Sequence, residues 1–185
     1  MADRLAAIVA FISAIALFVL GIALGAVAGG SGGPTTLIQV SGTVGEVGAL
    51  CTLVYAFSKA GGMPWAEVGR GLTVLGVSLL MVGDLTSASA RDLGNLVIYV
   101  TFILLGILIW QVHLKLAVLA VVAGVVGIGW AAFLLPNGVP PLNLLLLVAW
   151  FVAVGVDWLR EPWPMRLSPD REWPGQAQPD PRPSA

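Results

Sequence analysis

Apolar residues in this chain fall in long unbroken runs, not in the alternating pattern of strands or the striped pattern of surface helices. Residues 5–29, from Leu5 to Gly29, carry no charge at all. A helix crossing ~30 Å of hydrocarbon needs about 20 mostly apolar residues, so this run predicts a first transmembrane helix. Ser31, Gly32, Gly33 and Pro34 break it, as Gly and Pro clusters do. A second run, 39–58, contains Glu46 and ends at Lys59, Gly61 and Gly62. Pro64 suits a first helical turn and opens a third helix whose membrane part is 71–88, with Asp84 inside it. Arg91 and Asp92 close that segment. The fourth span is 93–110, followed by a short turn with Gln111, His113 and Lys115. The fifth is 116–135, and Pro136, Asn137, Gly138, Pro140 and Pro141 make the turn into the sixth, 142–159. The expected fold is an all-α integral membrane bundle of six spans within 1–160.

The segment 161–185 reads differently. Pro162, Pro164, Pro169, Pro174, Pro179, Pro181 and Pro183 bar a long helix. Trp158, Trp163 and Trp173, interleaved with Arg160, Arg166 and Arg171, suit the headgroup zone. The tail is expected to rest first on the membrane surface and then to run on as a disordered cytoplasmic extension.

Composition supports the membrane reading. The chain of 185 residues is 58% hydrophobic and only 10% charged, against roughly 25% in a soluble domain. A soluble six-helix fold would need a wet face on nearly every helix, whereas lipid-facing helices need none. The net charge of −1 gives no electrostatic reason to bind nucleic acid. One cysteine, Cys51, allows no disulfide within the chain. One histidine, His113, cannot supply a bis-histidine haem site. No cofactor is expected. The first and last three spans show no internal repeat, which argues against an inverted-repeat transporter.

Basic residues set the orientation, because Lys and Arg concentrate on the cytoplasmic side. With the N-terminus inside, Arg4, Lys59, Arg70, Lys115, Arg160, Arg166, Arg171 and Arg182 are all cytoplasmic, and Arg91 alone is outside. Ala26-Val27-Ala28 has the small residues of a signal-peptide cleavage site. The apolar run before it is about 20 residues, however, longer than the usual ~7–15, so the reading keeps it as a span. The expected location is the cytoplasmic membrane of a prokaryote.

Two features could carry a function. Gly21, Gly25 and Gly29 repeat every fourth residue, and Ala120 with Gly124 and Ala123 with Gly127 do so on the fifth span. Such stripes let helices approach closely in lipid, within one bundle or across a homo-oligomer seam. The second feature is the pair of acids. A carboxylate in hydrocarbon costs roughly 2.5–3.5 kcal/mol even on the lenient insertion scale. At ~1.5 Å per residue, Glu46 sits ~4 Å and Asp84 ~7 Å outside the middle of their spans. Gly42, Thr43 and Ala49 share the face of Glu46 and suggest that it turns inward. Asn95 and Tyr99 on span four, and Asn143 on span six, lie near the same level. Glu46, Asp84, Asn95 and Tyr99 therefore form a candidate polar site. It reads either as a proton- or cation-binding site or as hydrogen bonds between helix ends.

The remaining residues have plainer readings. Cys51 is expected to be a small buried hydrophobe, with no neighbouring base to make a thiolate. His113 is expected to be a solvated loop residue, and Asp157 with Arg160 an i, i+3 ion pair. Three function classes remain. The first is a membrane subunit or scaffold that packs against itself or another membrane protein. The second is a proton- or cation-linked transporter using Glu46 and Asp84. The third is a membrane enzyme, for which no Ser/His or Cys/His constellation can be assembled and only a carboxylate dyad remains.

Reporter fusions test the orientation. Fusions after Pro34, Gly62, Ala90, His113, Gly138 and Ala185 should alternate outside, inside, outside, inside, outside, inside. Two successive fusions reporting the same side would defeat the six-span assignment.

Overall fold

The computed structural model describes residues 1–28, 35–60, 64–133 and 142–160. Gly29, the turns expected at 31–34, 61–62 and 136–141, and the tail 161–185 lie outside these residues. Six α-helices make up the fold: α1 (Ala2–Ala28), α2 (Thr35–Lys59), α3 (Pro64–Leu85), α4 (Ala88–Ile109), α5 (Leu114–Phe133) and α6 (Leu142–Arg160). Five are long and apolar enough to cross a membrane. The sixth, α5, is apolar over the shorter stretch Leu114–Trp130. The chain is a polytopic helical membrane protein.

The helices start and stop close to the expected positions, with one instructive shift. The break between the third and fourth helices falls at Thr86 and Ser87, not at Arg91 and Asp92. Ser87 has extended backbone (φ −158°, ψ 140°), and its hydroxyl accepts a hydrogen bond from the Ala90 amide. A serine in that role satisfies one of the orphan donors that every helix N-terminus leaves. Arg91 and Asp92 are thus inside the first turns of α4, where the sequence reading had placed a loop.

Each helix packs against its neighbours in the chain, and α6 packs against α1, so the six close into a ring. On α1 and α5 residue size is largely sorted in the opposite sense to a soluble protein, while Trp150, Trp158, Phe57, Phe102 and Phe151 fill the interior elsewhere. On α1 the buried face carries Ala7, Ala10 and Ala14, while Leu5, Ile8, Ile12, Ile15, Phe18 and Ile22 are exposed. On α5, Ala117, Ala120 and Ala123 are fully buried and Val118, Val122 and Val125 face out. In lipid no hydrophobic force draws helices together, so small residues that permit close packing face inward and large ones meet the acyl chains. Cys51 follows the outward set: it is exposed on the ring, not buried as expected.

The closest helix approaches lie along α3, α4 and α5. A β-carbon at Gly94 would stand 2.7 Å from the Leu80 backbone nitrogen and 2.9 Å from the Gly76 carbonyl oxygen. One at Gly124 would stand 2.6 Å from the Tyr99 carbonyl oxygen. These neighbours are backbone atoms that cannot move aside. A β-carbon at Gly127 would meet the Tyr99 ring. Gly21, in contrast, is half-buried, and a β-carbon there would make only an ordinary 3.8 Å contact with Leu144. Gly25 is also half-buried.

Four buried hydroxyls return their protons to their own helices. Ser13 donates to the Val9 carbonyl at 2.8 Å, Ser41 to Leu37 at 2.6 Å, Thr73 to Gly69 at 2.8 Å and Thr101 to Val97 at 2.8 Å. Each bond spans one turn, which lets a polar group sit inside hydrocarbon without a partner from another helix.

Substitutions separate close contact from mere glycine content. Gly94→Ala and Gly124→Ala should each lose about 1–3 kcal/mol, as overpacking does. Gly71→Ala, where nothing lies within 4 Å of the added carbon, should be neutral. Thermal melting in mild detergent measures all three. Equal melting temperatures would show that these approaches do not hold the bundle.

Candidate functional site

Ring closure leaves a cavity of about 360 Å³ at the centre of one half of the bundle. Every helix contributes to its wall: Leu20 from α1, Glu46 from α2, Leu80 from α3, Tyr99 from α4, Trp130 from α5 and Asn143 from α6. It extends from Phe102 and Phe151 near mid-bundle to Arg91 and Asp92, both exposed, where α4 begins. The floor is apolar and aromatic. Phe102, Trp150 and Phe151 stack edge-to-face there, with centroid separations of 5.0–6.1 Å. The polar groups gather in the other half.

Of the candidate polar residues, Glu46, Asn95 and Tyr99 line this cavity together. Gly42 and Ala49 line it on either side of Glu46, while Thr43, expected on that face, is exposed. Asp84 does not line it. Its carboxylate lies 3.3 Å from the Arg91 guanidinium, an ion pair between the end of α3 and the start of α4. Arg91 itself lines the cavity, so it stands between Asp84 and the chamber that holds Glu46. Sequence reasoning had set Arg91 aside as a loop charge. The capping serine four residues before it was the signal that Arg91 could project along a helix.

Asn143 is 2% exposed, and its side-chain amide donates to the Tyr99 hydroxyl. That bond ties α6 to α4 across the cavity. The amide oxygen of Asn143 and the indole nitrogen of Trp130 are buried without hydrogen-bond partners. A buried unsatisfied acceptor costs about 1–3 kcal/mol, and both side chains belong to the cavity wall.

At the opposite end of the ring the charges pair with one another. The Asp3 carboxylate takes an ion pair from Lys59 at 2.8 Å and a hydrogen bond from the Tyr55 hydroxyl at 2.7 Å. Lys59 lies 5.3 Å from the Tyr55 ring centroid, and Tyr55 packs edge-on against Trp158 at 5.2 Å. Lys59 is 6% exposed. In sequence it reads only as a cytoplasmic basic residue that ends the second span. The nearby turn holds a second polar contact: His113 Nδ1 lies 3.4 Å from the Asp157 carboxylate. His113 is mostly buried, not the solvated loop residue expected, because α6 brings Asp157 against it. Trp158 is buried against this cluster.

The α1–α6 seam also carries an outward-facing groove of about 230 Å³, lined by Leu17, Phe18, Gly21, Ile22, Leu144 and Leu145. It is almost wholly apolar and has the character of lipid-facing surface. Among the described residues no group of three His, Cys, Asp or Glu side chains could hold a metal ion. The chain matches no protein-family model, no curated protein and no solved structure.

Proposed function

We propose that the chain is a six-span membrane protein, with both ends on the cytoplasmic side, that binds a positively charged solute in its central cavity and carries it across the bilayer. The observation that supports this reading is a cavity walled by all six helices with Glu46 in it. A carboxylate inside a membrane bundle is costly and marks a solute or ion path more often than a structural role. The charge balance favours a cation. Glu46 and Asp92 face the cavity as acids, and the one base there, Arg91, is already paired with Asp84.

Under this reading Glu46 is the solute-binding charge. Asp84 acts at one remove by holding the Arg91 guanidinium and offsetting its charge. The paired cluster of Asp3, Tyr55 and Lys59 lies at the opposite end, and transport requires it to part. A membrane subunit or scaffold is the second reading. It is supported by the apolar α1–α6 groove, which could seat a lipid or another transmembrane helix.

Flux measurements in vesicles of the purified protein test the choice. The wild type should move a cation in a pH-dependent manner, and Glu46→Gln should abolish the movement with little change in melting temperature. Asp84→Asn should weaken it by leaving Arg91 unopposed beside Glu46. The double variant Asp84→Asn/Arg91→Gln should recover most of the loss, as coupled neighbours do in a mutant cycle. A wild-type protein that neither binds nor moves any cation would leave the scaffold reading standing.

A further inference from the structure

The cavity's polar groups specify more than a charge. Asn143 gives one amide N–H to the Tyr99 hydroxyl, and its oxygen is a buried acceptor without a partner. Glu46, when ionised, is acceptor-only. Both line the same chamber, from the helices on either side of α1. Two acceptors, one of them charged, call for a solute that is cationic and carries more than one N–H. Below them the wall turns to Leu17, Val77, Phe102 and Phe151, which offer no polar side-chain group. The volume, about 360 Å³, lies within the range of roughly 300–1,000 Å³ of small-molecule sites. A hydrated metal ion would leave the aromatic floor unused. A quaternary ammonium would leave the Asn143 oxygen unsatisfied.

We infer that the solute is a protonated amine with an apolar body, its ammonium N–H groups shared between Glu46 and the Asn143 side-chain oxygen and its body seated on Phe102 and Phe151. This rests on the cation-binding reading above and narrows it to a ligand class. The ammonium neutralises Glu46, and its hydrogen bond satisfies the acceptor that Asn143 otherwise leaves unmade. Aromatic side chains at the floor suit a ring or branched aliphatic group by edge and face contacts. Tyr99 acts as a positioning residue, since its hydroxyl accepts from the Asn143 amide in the arrangement that leaves the oxygen unpartnered.

Equilibrium binding to the full chain in detergent tests this with three probes that share one body: 2-phenylethylamine, its N,N,N-trimethyl quaternary analogue and 2-phenylethanol. At neutral pH the amine is protonated, as alkyl ammonium groups near pKa ~10 are. The amine should bind at least about tenfold more tightly than the quaternary analogue, the discrimination expected for a charge-assisted hydrogen bond. The alcohol should bind weakest. Glu46→Gln should remove the preference for charge. Asn143→Leu should bring amine and quaternary probe to equal affinity while leaving the preference of both over the alcohol. If Asn143→Leu does not fold, the three-probe series on the wild type decides alone. Equal binding of amine and quaternary probe to the wild type would overturn the amine assignment and leave the cation reading intact. Equal binding of amine and alcohol, or no binding of any probe, would overturn both. A preference for the amine that survives in folded Asn143→Leu would remove Asn143 from the site.

Discussion

Helices in hydrocarbon satisfy their own backbones, and nothing in the solvent pushes them together. What remains to hold six of them is contact, and contact requires that backbones come near. Gly94 against Leu80 and Gly76, and Gly124 against the Tyr99 carbonyl, supply it along α3, α4 and α5. Ala7, Ala10, Ala14, Ala117, Ala120 and Ala123 supply a looser version elsewhere. The rest of the architecture follows from where these small residues lie. Many large aliphatic groups of α1 and α5 are turned outward, and a cavity remains at the centre of one half.

That unfilled half is the reason for a functional reading at all. Two ends of the same ring solve the burial of charge in different ways. At one, Asp3, Lys59 and Tyr55 satisfy one another and Trp158 covers them. Breaking such a cluster by removing one member leaves an uncompensated buried charge. At the other, Glu46 and Asn143 face a chamber with acceptor capacity to spare. The contrast is a physical asymmetry between an end whose charges are paired and one with a buried acceptor left unpaired.

The run lengths alone located the helices to within a few residues, because hydrocarbon thickness is a strict ruler. Glu46, Asn95 and Tyr99 were legible as one level because helix rise converts sequence number into depth. Azimuth was not legible in the same way. Cys51 and Thr43 point outward, and Asp84 turns to Arg91, because rotation about each helix axis is set by packing partners far away in sequence. The buried state of Lys59 and His113 had the same cause. Each depends on a residue more than forty positions distant, Asp3 in one case and Asp157 in the other. Charge content along the chain said only that these residues belonged near an interface.

The α1–α6 contact has a bearing on biogenesis. α1 packs against α2, beside it in the chain, and against α6, far from it in sequence. The α1–α2 hairpin can assemble early, since Asp3 finds Lys59 and Tyr55 within it. The chamber cannot, because Asn143, Leu147 and Phe151 arrive only with α6. Without that helix Glu46 borders an open cleft, so enclosing the chamber and shielding the carboxylate from the acyl phase are one event.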